Sequence, residues 1–153
     1  MTHYPVYIIR THLAMPDPDL PSPRYHTAIF VEIDPVTGSG TINEVTGDIT
    51  SPEGMYCESK LAPQPESVDN IFSRTLLGMT DEAHYPNSWD NVLRDIPAPP
   101  QQKAFNPFKR LSPLEFYEDG EERRPLVKCT EWVVDMAIPA LRKAGLLQSS
   151  ISA

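Results

Sequence analysis

In "RYHTAIFVEID", side chains divide between two faces at a period of two. Tyr25, Thr27, Ile29, Val31 and Ile33 share one face, while His26, Ala28, Phe30 and Glu32 share the other. That period predicts a strand. "YPVYIIRTHL" at 4–13 is rich in β-branched and aromatic residues and predicts another before it. "DPVTGSG" supplies turn chemistry, and "GTINEVTGDI" follows as an antiparallel partner. "GMYCESKL" predicts a third short strand, with Met55 and Cys57 on one face and Tyr56 and Glu58 on the other.

The period then changes. Val68, Ile71, Phe72, Thr75 and Leu76 in "PESVDNIFSRTLLG" follow a 3-4 spacing that predicts an amphipathic helix stopped by Gly78. "NSWDNVLRDIP" predicts a short helix capped by Asn87 or Ser88 and closed before Pro97. "RPLVKCTEWVVDMAIPALRKAGLL" predicts a final helix from about Leu126 to Gly145, with Val133, Met136, Ala137, Leu141 and Ala144 among its apolar positions. Pro139 would kink or break it, because proline removes a backbone donor. The predicted class is α+β: an antiparallel β-meander followed by helices, with a C-terminal helix carrying the cysteine.

The length of 153 residues suits one domain. Its predicted parts are an N-terminal strand and proline-rich loop (1–23), the β-meander (24–61) and a helical half (66–153) with a proline-rich insertion at 97–113. The 17 prolines cluster in "MPDPDLPSPR", "APQPE" and "IPAPPQQKAFNPF". The pieces between them are too small to fold alone, so they separate elements rather than domains. "AFNPFKR" with the preceding proline run reads as surface wrapping, the alternative being a flap over a cleft, and Tyr56, Trp89, Phe105, Phe108, Phe116, Tyr117 and Trp132 read as core.

A formal net charge of −8 argues against a broad basic face for nucleic acid or anionic membrane. No apolar run approaches the roughly 20 residues of a membrane-spanning helix. The N-terminus lacks a basic lead and an apolar core, so it does not look like a signal peptide. Two cysteines point to reduced thiols and a cytoplasmic location. Neither a metal-ligand spacing nor a glycine-rich phosphate loop nor a G-x-S-x-G motif occurs, so no metal or cofactor is expected.

The remaining candidate chemistry is cysteine chemistry. Cys129 sits where a helix begins, and a thiolate there is favoured by the helix dipole and by basic neighbours, here Lys128 with Arg123 and Arg124 upstream. Glu131 would oppose it if it pointed the same way. Cys57, within a short strand, reads as structural. An imidazole would contribute most, and of His3, His12, His26 and His84 only His26 lies near the start of the strongest strand, where a sheet can hold it rigidly. Asn43, Glu44 and Asp48 on the following strand are the candidates for orienting it. A simple hairpin register places Thr46, Gly47 and Asp48 opposite His26, which leaves Asp48 as good a candidate as Glu44.

"YHTAIFVE", a histidine opening a hydrophobic strand, followed about 100 residues later by "KCTEWVVDM", resembles the circularly permuted branch of the papain-like hydrolases. That branch holds NlpC-type and lecithin retinol acyltransferase-like proteins. In it the histidine strand precedes the cysteine helix, and another histidine or an acid on the next strand orients the imidazole. This chain has no second histidine there. The string also resembles uncharacterised fungal proteins, which carry over no activity. The resemblance covers roughly 24–145 and implies a Cys–His hydrolase or acyltransferase acting on an amide, ester or thioester in a small-molecule, peptide or acyl substrate. The alternatives are a noncatalytic small-molecule or protein-binding domain on the same scaffold, or a biosynthetic enzyme using the same cleft for non-hydrolytic chemistry.

Overall fold

The alternating segments assemble into one antiparallel sheet. The computed structural model describes residues 3–13, 25–49, 51–103, 121–122 and 126–148. β1 (His3–His12), β2 (Tyr25–Glu32), β3 (Gly40–Gly47) and β4 (Met55–Ala62) form the predicted meander. A fifth strand, β5 (Ile71–Asp81), crosses to the far edge and pairs with β1, giving the order β4-β3-β2-β1-β5. Among the described residues two α-helical regions follow, so the fold is α+β. They are α1 (Asn87–Arg94) and a C-terminal run of α2 (Cys129–Glu131), π-helical turns over Trp132–Ala137, and α3 (Ile138–Lys143).

β5 corrects the expectation of a helix and of an all-helical second half. Its ladder with β1 carries irregularities between Val6 and Tyr7 and between Arg10 and Thr11. Each adds one residue to β5, which shifts the side-chain alternation by one. Two such shifts within one strand turn a period of two into an apparent 3-4 spacing. Gly78 is no helix stop either. A Cβ there would fall 2.0 Å from the carbonyl oxygen of Gln148, whose backbone exchanges hydrogen bonds with Met79 at 2.7 and 2.8 Å.

α1 occupies its predicted span, but Pro86 takes the N-cap position and no side chain caps the helix, in place of Asn87 or Ser88. The C-terminal run starts at Cys129 rather than about Leu126. Pro139 falls in the first turn of α3, directly after the π-helical turns. A proline ring collides with the carbonyl four residues back, here Asp135. Widening the preceding turn lets the helix continue past it. Gly145, at φ 77°, closes the run in the left-handed conformation.

The helices cover one sheet face. Val6, Ile8, Ile29, Val31 and Val45 pack there against Trp89, Trp132, Val133, Ala137 and Leu141. Trp89 and Trp132 are fully buried, and the Trp89 indole donates to Thr80 Oγ1 at 2.9 Å. On the other face Ile9, Ala28 and Phe30 form a smaller cluster. No helix among the described residues is long and apolar enough to cross a membrane. Residues 14–24 and 104–120, which hold much of the proline-rich sequence together with Phe105, Phe108, Phe116 and Tyr117, lie outside the described residues, as do Arg123 and Arg124.

Candidate active site

The β2–β3 ladder runs from Glu32–Gly40 only as far as Ile29–Asn43, whereas β3 stays paired with β4 to Gly47. Beyond Ile29 side chains span the gap between β2 and β3, and α2 packs against both strands there. Cys129 opens that helix and is 8% exposed. The first turn is closed by Glu131, whose carboxylate accepts from the Lys128 backbone N–H at 2.8 Å. Glu131 is thereby engaged at the helix start. Thr130 fixes the helix to the sheet through an Oγ1–Oγ1 hydrogen bond to Thr27 at 2.9 Å.

His26 reaches the gap from β2, and its Nε2 lies 2.7 Å from Glu44 Oε1 on β3. Its other neighbour is the Cys129 side chain, with which it shares a hydrogen bond. Because Nε2 is occupied by Glu44, Nδ1 is the nitrogen left for the sulfur. A carboxylate on Nε2 requires a proton there, so Glu44 fixes the tautomer and the ring plane together.

These contacts push the His26 pKa up from 6.5 to about 10, first through the Cys129 hydrogen bond and then through Glu44, against the opposing effect of burial. Glu44 has a side chain only 7% exposed. Burial opposes its charge, but the hydrogen bond and charge of His26, with Lys60 behind, outweigh that and hold the carboxyl below its usual range. Lys60 Nζ lies 3.2 Å from Glu44 Oε2 and 3.4 Å from Glu58. Glu44 and Glu58 are directly opposed on β3 and β4, where like charges repel, and the Lys60 ammonium between them offsets that. The result is a continuous row from thiol to imidazole, carboxylate and ammonium.

Of the sequence candidates, Cys129, His26 and Glu44 therefore come together. Asn43 opposes Ile29 and turns to the other side of β3, where its Nδ2 donates to Tyr85 Oη at 3.0 Å and its Oδ1 accepts from Ser59 at 2.7 Å. Asp48 follows the end of β3, and its carbonyl accepts from the Ser51 backbone and hydroxyl. The simple hairpin register that favoured Asp48 extends past the end of the ladder, where β2 and β3 are no longer paired. Thr27, Thr130 and Lys60 had no signal in the motifs. Lys60 was nevertheless recoverable from alternation, being two residues from Glu58 on the same face of β4.

Cys57 is exposed on the edge strand, and its thiol pKa is raised by partial enclosure of the sulfur, then by the carboxylates of Asp90, Glu58 and Glu44. It borders a cavity of about 300 Å³ with Ser59, Asp90 and Arg94. A larger cavity of about 440 Å³ lies at the β2–β3 turn and is lined by Ile33, Leu61 and Pro63. Neither is lined by Cys129 or His26. Among the described residues no group of three His, Cys, Asp or Glu side chains is placed to hold a metal ion.

A family model matches residues 6–148, a span that includes Cys129, His26 and Glu44. The chain belongs to DUF6540, a family of unknown function. No curated protein and no solved structure matches it. The family assignment therefore brings no activity with it.

Proposed function

We propose that the chain is a cysteine-dependent hydrolase or acyltransferase of permuted papain-like architecture, acting on an amide, ester or thioester. The observation that carries this is the hydrogen bond between Cys129, at a helix start, and His26, whose far nitrogen is held by Glu44 at 2.7 Å. Nucleophile, base and orienting group stand in the order that nucleophilic catalysis needs.

The resting pair is a thiolate beside an imidazolium. Cys129 Sγ attacks the substrate carbonyl carbon, forming a C–S bond while the carbonyl π electrons move to oxygen. The Cys129 backbone N–H, in the first turn of the helix, would hold part of that oxyanion. Collapse expels the leaving group, which takes the Nδ1 proton of His26 and leaves a thioester on Cys129. Neutral His26 then accepts a proton from water, or from an acceptor nucleophile, as it attacks the thioester. Departure of the thiolate restores the ion pair. Glu44 remains ionised throughout and stabilises the imidazolium.

Iodoacetamide labelling across pH, read by mass spectrometry at each cysteine, tests this. An activated pair alkylates at Cys129 with a midpoint well below pH 7, and His26→Ala abolishes that early phase. A midpoint at or above about 8.5 favours a noncatalytic binding domain instead. Turnover of an activated thioester should vanish in both Cys129→Ala and His26→Ala while the thermal transition persists.

A further inference from the structure

The sheet continues past the start of the nucleophile helix. Thr27, the residue that anchors Thr130, lies directly opposite Arg10 on β1, and Arg10 lies opposite Ser73 on β5. Directly opposed residues of an antiparallel pair share a face. Thr27, Arg10 and Ser73 therefore form a row on the face that carries the helix. Arg10 is half-buried and makes no ion pair or hydrogen bond among the described residues. The Ser73 hydroxyl oxygen is buried and has no hydrogen-bond partner. The buried Ser73 hydroxyl, directly opposite this half-buried cation, is the unusual feature, because buried polar atoms nearly always find partners.

One pleat further out lies a second row. Tyr25 opposes His12, and Phe72 stacks on Tyr25 at 4.1 Å between ring centroids with 11° between the planes. His12 meets both rings edge-on, at 5.6 Å from Tyr25 and 5.3 Å from Phe72. Phe72 is 49% exposed. Two residues of strand span about 6.6 Å, so this aromatic row stands one small-molecule width from the Thr27–Thr130 anchor.

We propose that this strip is the substrate subsite of the Cys129 centre and takes a planar group carrying a negative charge, an aromatic carboxylate in its simplest form. The anion is held by Arg10 and Ser73, and the flat body rests against Phe72 and Tyr25. The proposal rests on the catalytic reading for its role but not for its chemistry, since the charge and the rings stand there whether or not Cys129 reacts. The chain's net negative charge makes a half-buried arginine with no ion pair among the described residues the more selective feature of this face.

Backbone amide NMR titration tests it, with phenylacetate, its neutral isostere phenylacetamide, and cyclohexylacetate as probes. Phenylacetate should shift the amides of Arg10, Tyr25 and Phe72 and bind about tenfold more tightly than phenylacetamide, the usual gain from a charge-assisted hydrogen bond. Arg10→Gln should remove that preference, and Phe72→Ala should remove the preference for phenylacetate over cyclohexylacetate. If Arg10→Gln fails to fold, Phe72→Ala, a change on an exposed ring, decides alone. Equal affinities for the charged and neutral probes, or shifts mapping away from the strip, overturn the proposal. Binding at the strip with slow Cys129 alkylation would keep the subsite and sink the catalytic reading. Fast alkylation without binding would do the reverse.

Discussion

The two cysteines occupy opposite situations. Cys129 is nearly buried, at the start of a helix, and hydrogen-bonded to an imidazole that is itself held by a carboxylate. Cys57 is exposed on an edge strand, with Asp90, Glu58 and Glu44 pushing its thiol up. Access favours Cys57 and electrostatics favour Cys129. Thiolate chemistry follows charge before access, because the neutral thiol is a poor nucleophile however open its surface. Glu44 acts on both sulfurs with opposite results. It supports the imidazolium beside Cys129 and adds to the negative field at Cys57.

The largest way to break this contrast is His26→Gln. An unassisted thiol of pKa about 8.5 is under about 1% thiolate at pH 6, so Cys129 alkylation there should fall about 100-fold while Cys57 is unchanged. The same variant alters stability. His26 is raised from 6.5 to about 10 in the folded chain, so its contribution is fully present below pH 6.5 and is lost as pH rises through about 10. Chemical denaturation of the parent should therefore show unfolding free energy declining across that window, and His26→Gln should flatten the decline.

Next comes Glu44→Gln. Its amide oxygen can still accept from Nε2, so the ring stays oriented while the charge is lost. Cys129 alkylation at pH 6 should fall by about tenfold, less than for His26→Gln, and Cys57 should alkylate at slightly lower pH. Glu44 is itself depressed, so its own stabilising contribution is present above about 4.5 and is lost as pH falls below that. Lys60→Gln is the smallest. The Lys60 side chain is 56% exposed, and exposed ion pairs contribute about 0.2–1 kcal/mol, so the Cys129 rate should change no more than about fivefold, with Lys60→Arg restoring it.

The two halves of the fold differ in how far the chain alone discloses them. β2 was legible because Tyr25 to Glu32 alternates without interruption and faces two apolar clusters. β5 was not, because extra residues near Phe72 and Leu77 shift its alternation twice, and local spacing then imitates a helix. Nothing in "PESVDNIFSRTLLG" discloses those bulges, since they arise from pairing with β1. Cys129 and His26 were legible as a pair by order and element type. Choosing Glu44 over Asn43 or Asp48 was not, because it depends on where the β2–β3 ladder ends, and a one-residue change of register sends a side chain to the opposite face. The row of Arg10 and Ser73 was hidden for the same reason, since it exists only across three paired strands.

The most direct test of the Cys129–His26–Glu44 row is the titration of the His26 ring by NMR. A row that works as described leaves the His26 imidazole protonated through neutral pH, with a midpoint near 10 that moves down in Cys129→Ala. A midpoint near 6.5, unchanged by Cys129→Ala, would contradict it.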